Sequence, residues 1–392
     1  LELREELTDY PFRTRTDTEV ILAAYDRWGV DCLRRFQGMF AFGLWDLRRK
    51  RLLCATDRFS IKPLYYAQLG NRLLFSSEIK PLALCGVRLR PNEAAVYDYL
   101  AIGLLDHGSA TLFQGIHQLQ PATYLLLEQG QAVVRKYWDL TQTVDPGDAQ
   151  PADEPSTLAS VETALLEAVR LHLRSDVEVG LSLSSGLDSN LLRALMRAVN
   201  GHRARPLSCF TYSFPDTSYD EWERSGHGHD GSDCRYHRVE LQPQAMLDEL
   251  QDLVKVMEGP VGGVGIYGYW RNAKLASDSG VKVLLDGQGA DETFAGYRYY
   301  YEEKIRQLWD RGHRDEAQRE CEQLLVRHGE PGNRQVAGWL AQRPPESAVL
   351  APDGTTLSSR YLHPDFAARF AGRTHHFPAP FRCAVKNAMY RD

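Results

Sequence analysis

The chain has 392 residues, 43% of them hydrophobic and 25% charged, with a formal net charge of −6. That length allows two or more domains with cores of their own, and the composition is that of an ordinary globular protein. The acidic balance argues against a nucleic-acid partner, which needs a basic face, and no apolar run approaches the roughly 20 residues of a membrane helix.

Taken in chain order, the sequence opens inside a helix-like run, LELREEL, and closes on KNAMYRD without a stop signal, so a fragment cut at both ends is expected. DTEVILAAYDRWG has helical spacing and a Gly stop. MFAFGLWDL, RLLCATD, KPLYYAQL and NRLLFSSE follow as short strands with turn signals between them, and ATYLLLEQG with QAVVRKYWDL reads as a further strand pair. This order predicts a layered α+β domain over 1–140. TQTVDPGDAQPADEPS, 141–156, is rich in Pro, Asp and Thr without apolar periodicity and reads as a linker. The helical pattern LASVETALLEAVRLHLRS then leads into a different texture. VEVGLSL, PLSCFTYSF and GVKVLLD are near-continuous apolar runs separated by helical segments, which predicts a parallel α/β sheet in a domain over 157–392. The tail from about 300 reads as mainly helical. The seven cysteines are scattered, odd in number and without CxxC spacing. With no signal peptide, they suit reduced thiols in a cytoplasmic protein.

The chemistry concentrates in VGLSLSSGLDSNLL, 179–192. An apolar strand ends in Ser184, Ser185, Gly186, Asp188 and Ser189 and then becomes a helix. Ligands of open parallel sheets bind beyond the carboxyl ends of the strands. Small residues there let backbone N–H groups approach an anion, and the helix N-terminus favours negative charge. Asp188 suits a Mg2+ ion bridging phosphates. A Walker A loop is excluded because its Lys is absent, and a nucleophile elbow fails because GLSLS lacks the final Gly. An ordinary βα turn stays open on local physics alone. A second strand-to-loop passage, GVKVLLDGQGADETFAGY at 280–297, shifts the balance. Gly287 and Gly289 allow close backbone approach, and Asp286, Asp291 and Glu292 bring carboxylates to a neighbouring strand end. As a purely structural alternative, Asp291 and Glu292 are favourable at a helix N-terminus.

SSGLDS resembles the pyrophosphate-binding loop of the ATP pyrophosphatases. Together with LLDGQGADETFAGY it resembles the glutamine-hydrolysing asparagine synthetase family. RTDTEVIL, FQGMFAFGLWD, DRFSIKPLYY and FSSEIKPL resemble segments of that family's glutaminase domain, so the likeness runs through nearly the whole chain. It implies an Ntn-hydrolase-type αββα amidotransferase domain followed by an adenine nucleotide α-hydrolase-like synthetase domain. The implied reaction uses ATP and Mg2+ to adenylate the aspartate side chain, and ammonia drawn from glutamine then displaces AMP. By the motif match, Ser184, Ser185, Gly186, Asp188 and Ser189 hold pyrophosphate, and Asp188 and Asp291 bind Mg2+ and are the catalytic pair. Ser182, Tyr212, Asp286 and Gly287 line the AMP part, and Asp17 binds the amino group of glutamine. For Asp17 a helix cap is the structural alternative. The implied partners are the small molecules aspartate, glutamine and ATP, with no nucleic acid and no membrane, and a homodimer stays open.

The sequence departs from the family at several points. The implied nucleophile is a cysteine at the mature N-terminus, which excludes Cys32, Cys54 and Cys85. Ser185 stands where the family has Gly, Asn190 where a second Ser is common, and Gln288 where many members carry Glu. The alternatives are a relative adenylating another carboxylate, of the β-lactam synthetase or lasso-peptide cyclase type, and a non-catalytic nucleotide-binding homologue. HGHDGSDCRYH, 227–237, has zinc-ligand residue types without a regular spacing and reads as an exposed loop. GPVGGVG, 259–265, reads as a loop near the active site, and YRYYYEEK, 297–304, as a half-buried helix start.

Overall fold

The computed structural model describes residues 1–143, 153–201, 205–214, 220–222, 225, 233–327 and 364–370. The chain falls into two compact units, Leu1–Asp145 with Pro344–His376, and Pro146–Arg343 with Phe377–Asp392.

The first unit begins with helices α1 (Glu2–Glu6) and α2 (Asp17–Trp28). Helix α2 is capped by Thr16, whose Oγ accepts the Glu19 N–H, and the Glu19 carboxylate turns back to accept the N–H groups of Arg13 and Thr14 ahead of the cap. It stops at Gly29, whose φ of +60° suits glycine. Strands β1 (Ala41–Asp46), β2 (Arg51–Thr56), β3 (Tyr65–Leu69) and β4 (Arg72–Ser76) follow. Next come helices α3 (Ile79–Leu84) and α4 (Glu93–Ile102), strands β5 (Ile116–Gln118), β6 (Thr123–Glu128) and β7 (Gln131–Lys136), and the short helix α5 (Leu140–Thr143). All the strands expected in this half are present. They form two antiparallel sheets, ordered β1-β2-β6-β7 and β4-β3-β5.

Side-chain alternation sets the layers. Leu53 and Ala55 of β2 pack with Ala23, Ala24 and Tyr25 of α2, while Cys54 and Leu52 face Tyr66 and Leu73 of the other sheet. The far face of that second sheet, with Ala67 and Leu74, packs on Ile79 and Leu82 of α3. The result is an α–β–β–α stack. One buried carboxylate fixes the turn leaving β2: Asp57 accepts the backbone N–H groups of Phe40, Phe59, Ile61 and Lys62 at 3.0–3.1 Å.

The second unit opens with helix α6 (Glu154–His172), capped by Asp153, which accepts the Ser156 N–H at 2.9 Å. Strand β8 (Val179–Ser182), helix α7 (Leu187–Asn200) and strands β9 (Leu207–Ser213) and β10 (Cys234–Glu240) come next. They are followed by helices α8 (Pro243–Met257) and α9 (Val264–Asp278) and strand β11 (Val283–Leu285). Helices α10 (Ala290–Phe294), α11 (Arg298–Asp310) and α12 (Arg314–Arg327) complete the run, and α13 (Pro364–Arg369) belongs to the first unit. The sheet is wholly parallel, ordered β10-β9-β8-β11. Leu181 and Cys209 pack against Val169 of α6 and Met196 of α7, and Phe210 packs against Ala276 of α9 on the opposite face. Burial on both faces explains the unbroken apolar runs.

Four expectations need correction. The parallel sheet has a further strand, β10, which takes Cys234–His237 out of the supposed exposed loop; 227–232 lie outside the described residues. Helix α9 begins at Val264, so the end of GPVGGVG is helical. Thr16, not Asp17, caps α2; Asp17 is the first helical residue and its side chain is exposed. The linker expected over 141–156 is helical at both ends, through Thr143 in α5 and from Glu154 in α6, while its middle, 144–152, and the closing KNAMYRD lie outside the described residues. Helices α11 and α12 bear out the helical reading as far as 327. Among the described residues no helix is long and apolar enough to cross a membrane.

Candidate functional site

In the parallel sheet β8 lies between β9, which comes next in the chain, and β11, which comes much later. The chain thus runs outward from β8 through β9 and β10 and then returns to place β11 on the other side of β8, and such a reversal of strand order opens a crevice at the carboxyl ends of β8 and β11. Both Gly/Ser/Asp loops singled out in the sequence arise there.

The loop after β8 is braced by its own hydroxyls. Ser189 is buried, and its Oγ accepts the Ser184 N–H at 3.1 Å and lies 2.8 Å from Ser184 Oγ. Ser184 Oγ in turn accepts the Gly186 N–H at 3.1 Å. The Asn190 amide donates to the carbonyls of Ser184 and Gly186, at 3.1 and 2.8 Å. This second support for the turn explains why Asn is accommodated there. Gly186 caps α7 without a side-chain bond, so the N-terminus of α7 opens onto the crevice. Ser182 ends β8, and its Oγ accepts from the buried amide of Asn272 on α9 at 3.0 Å.

The loop after β11 lies against this one. A Cβ placed on Gly287 would come within 3.1 Å of Asp188 Cβ and 3.2 Å of the Ser189 nitrogen, so that position needs glycine for close approach. Gly289 has φ +90° and leads into α10, which carries Asp291 and Glu292 in its first turn. Gly296 faces the Asp291 carboxylate, which a Cβ there would strike. Asp286 is exposed and accepts the Gln288 N–H at 3.1 Å. The Gln288 amide donates to the Tyr269 hydroxyl. Tyr269 packs edge-on against Tyr212 with ring centroids 5.8 Å apart, and Gly268 leaves room for the Tyr212 ring, which a Cβ would meet at 2.7 Å.

Ser182, Ser184, Ser185, Gly186, Asp188, Ser189 and Gly287 thus share one crevice. Asp291 stands at the start of α10, directly after the Gly287–Gly289 loop that packs on Asp188, and Tyr212 and Asp286 are joined to the crevice by the Tyr269–Gln288 link. Asp17 belongs to the first unit, on the first turn of α2. Glu221, Tyr269 and Asn272 were missed from the sequence. Asn272 did leave a signal, standing four residues after Gly268 and four before Ala276 on an otherwise apolar stripe.

Burial, and then the charges of Asp291 and Glu292, push the Asp188 carboxyl above its usual range. The Tyr212 phenol is pushed up to about 12, first by burial and then by Tyr269 and Glu221. Below the ordinary carboxylate value Asp188 is protonated in the folded and unfolded chain alike, and it costs the fold nothing. As pH rises through that value and then through the raised one, the unfolded chain ionises first and the fold loses stability. Asp188→Asn is therefore expected to raise the melting midpoint by about 2 °C near pH 7.5 and to leave it unchanged near pH 3.5. Circular-dichroism melts at the two pH values check this, and no gain near neutrality would refute it.

Burial also pushes the Cys32 and Cys54 thiols up to about 12, so neither is a thiolate at neutral pH.

For a divalent cation the donors are hard carboxylates. Glu292 Oε2 is buried with no hydrogen-bond partner, while Oε1 accepts from Tyr297 at 2.8 Å. Among the described residues no group of three or more His, Cys, Asp or Glu is arranged to hold a metal ion by itself. Mg2+ is usually held by one or two carboxylates completed by phosphate oxygens and water, and the carboxylates here are donors of that kind.

Fold and crevice together define a class of protein: an αββα amidotransferase-type domain followed by a parallel-sheet, nucleotide-binding type of domain. The comparisons agree. Residues 1–138 match the model of the glutamine amidotransferase domain, and residues 160–376 match that of asparagine synthase. The chain belongs to the asparagine synthase family. It is 31% identical over 311 residues to amidase chyE of Penicillium rubens, covering 75% of this chain and 45% of that protein. It is 29% identical over 307 residues to asparagine synthetase [glutamine-hydrolyzing] 1 of Bacillus subtilis, covering 77% of this chain and 46% of that protein. The chain spans about half the length of the curated relatives it matches.

Proposed function

We propose that the protein is an ATP-dependent, glutamine-using ligase that converts a carboxylic acid to its amide, with aspartate as the acid and asparagine as the product. The carrying observation is the crevice itself. It joins a hydroxyl-braced loop at a helix N-terminus to a glycine-rich loop bearing carboxylates, at the reversal point of a parallel sheet.

A carboxylate is a poor electrophile, and attack of its oxygen on the α-phosphorus of ATP makes an acyl-adenylate and releases pyrophosphate. Ammonia then attacks the acyl carbon, the C–O bond to AMP breaks, and the amide forms. In this reading Ser184, Ser185, Gly186, Asp188 and Ser189 hold the departing pyrophosphate through N–H and hydroxyl donors. Ser182, Tyr212, Asp286 and Gly287 line the AMP part. Asp188 and Asp291 would hold Mg2+, which supplies positive charge to the phosphate oxygens. In the first unit Asp17 would pair with the ammonium of glutamine. The amidotransferase domain covers 1–140 and the synthetase domain starts at 157. The protein acts on small molecules in the cytoplasm.

A second reading of the same site keeps the adenylation and takes another carboxylic acid, since the Penicillium rubens relative is named an amidase and not an asparagine synthetase. One experiment separates the two: exchange of labelled pyrophosphate into ATP by the full-length protein, with aspartate and with a panel of other carboxylic acids. Exchange that requires aspartate is expected. Exchange with another acid alone would refute aspartate and keep the adenylation, and none with any acid would refute both.

A further inference from the structure

Glu221 follows β9 in a stretch with no periodic pattern, and its carboxylate reaches the loop after β8. Its Oε2 accepts the Ser185 N–H at 3.2 Å. The adjacent loop N–H groups are satisfied from within, Ser184 by Ser189 Oγ and Gly186 by Ser184 Oγ. Ser185 is thus the loop residue whose N–H is held by a charged side chain from another element.

That carboxylate sits on an anchored turn. On one side, Asp220 accepts from the Trp222 N–H at 3.0 Å and pairs with Arg238 at 3.4 Å. Arg238 also donates to Ser213 and lies over the Trp222 ring. On the other side, Ser225 is fully buried and its hydroxyl donates to the Trp222 carbonyl at 2.8 Å. The turn therefore holds Glu221 against the loop.

A carboxylate on a backbone N–H makes the bond that a phosphate oxygen would make there. We propose that the Glu221 carboxylate takes the anion position at the Ser185 N–H and makes the loop take a polyphosphate as its divalent-metal complex rather than as the bare anion. This rests on the reading of the loop given above. A bare polyphosphate must break the Ser185–Glu221 bond and then lie beside the carboxylate it has displaced, where like charges repel strongly. An accompanying divalent cation offsets that repulsion, so the metal complex meets Glu221 without the penalty.

The test is calorimetric titration of the full-length protein with inorganic pyrophosphate, once with excess magnesium and once with EDTA. The variants are Glu221→Gln, which keeps a neutral acceptor, and Glu221→Ala, which carries the test if the first does not fold. In EDTA the variants are expected to bind pyrophosphate about tenfold more tightly than the wild type, with the magnesium affinity changed by less than about threefold. A gain below about threefold in EDTA would overturn the proposal, as would a collapse of the magnesium-dependent affinity, which would make Glu221 a metal ligand. A wild type that takes pyrophosphate in neither condition would instead refute the reading of the loop, an outcome distinct from unaltered variants of a protein that binds.

Discussion

Replacing Asp188 by Ala is expected to lower acid-dependent pyrophosphate exchange by about a thousandfold or more while the protein stays folded. The size follows from position. Asp188 lies in the first turn of α7, beside the hydroxyl-braced loop, and the Gly287 backbone packs directly on it. The same surroundings that raise its proton affinity make its ionised form a strong ligand for a cation carrying phosphate. Without that carboxylate the N–H donors remain, but the charge on the departing pyrophosphate loses the ion that Asp188 helps to hold. The fold is expected to survive, because ionised Asp188 destabilises the protein at neutral pH. Exchange within tenfold of the wild type, on a protein shown to be folded, would remove Asp188 from the reaction.

Asp57→Ala is the second large effect, and it falls on stability. The carboxylate is 1% exposed and accepts backbone N–H groups from Phe40, Phe59, Ile61 and Lys62. Removing it leaves those donors beside a cavity with no acceptor, at about 1 kcal/mol or more for each that finds no other partner. The expected loss is about 3–5 kcal/mol, or a melting midpoint lower by roughly 10 °C. Chemical denaturation followed by circular dichroism measures it. A loss below about 1 kcal/mol would mean that water reaches the turn and satisfies the donors. Thr56, the residue before it, donates to the Lys62 carbonyl and accepts from Tyr137 through its own carbonyl, so the damage is expected to spread into the core under α2.

Elements with strong local signals were legible. The strands β1 to β4, the β6–β7 hairpin, α2 and α6 all came from alternation, helical spacing and turn residues. Strand β10 did not. Its CRYHRVE mixes charged and apolar residues because it lies at the edge of the described sheet, next to β9 alone, so it lacks the continuous apolar run that marks its neighbours. Thr16 took the cap from Asp17 because its hydroxyl reaches the Glu19 N–H three residues on, a Thr-x-x-Glu spacing that the sequence carried and that attention to Asp17 alone passed over.

What the sequence determined by itself was the content of the two loops: small hydroxyl residues, glycines and carboxylates at the ends of apolar strands. Only the tertiary structure decided that these loops share a crevice. Ser184–Ser189 and Asp286–Asp291 lie about a hundred residues apart, and their meeting depends on β11 pairing with β8 rather than with β10 at the other edge of the sheet. The same holds for Glu221 and Asn272, whose partners Ser185 and Ser182 are distant in the chain. Local residue choice sets which groups a turn offers, whereas strand order, fixed by burying both faces of one sheet, sets which groups meet.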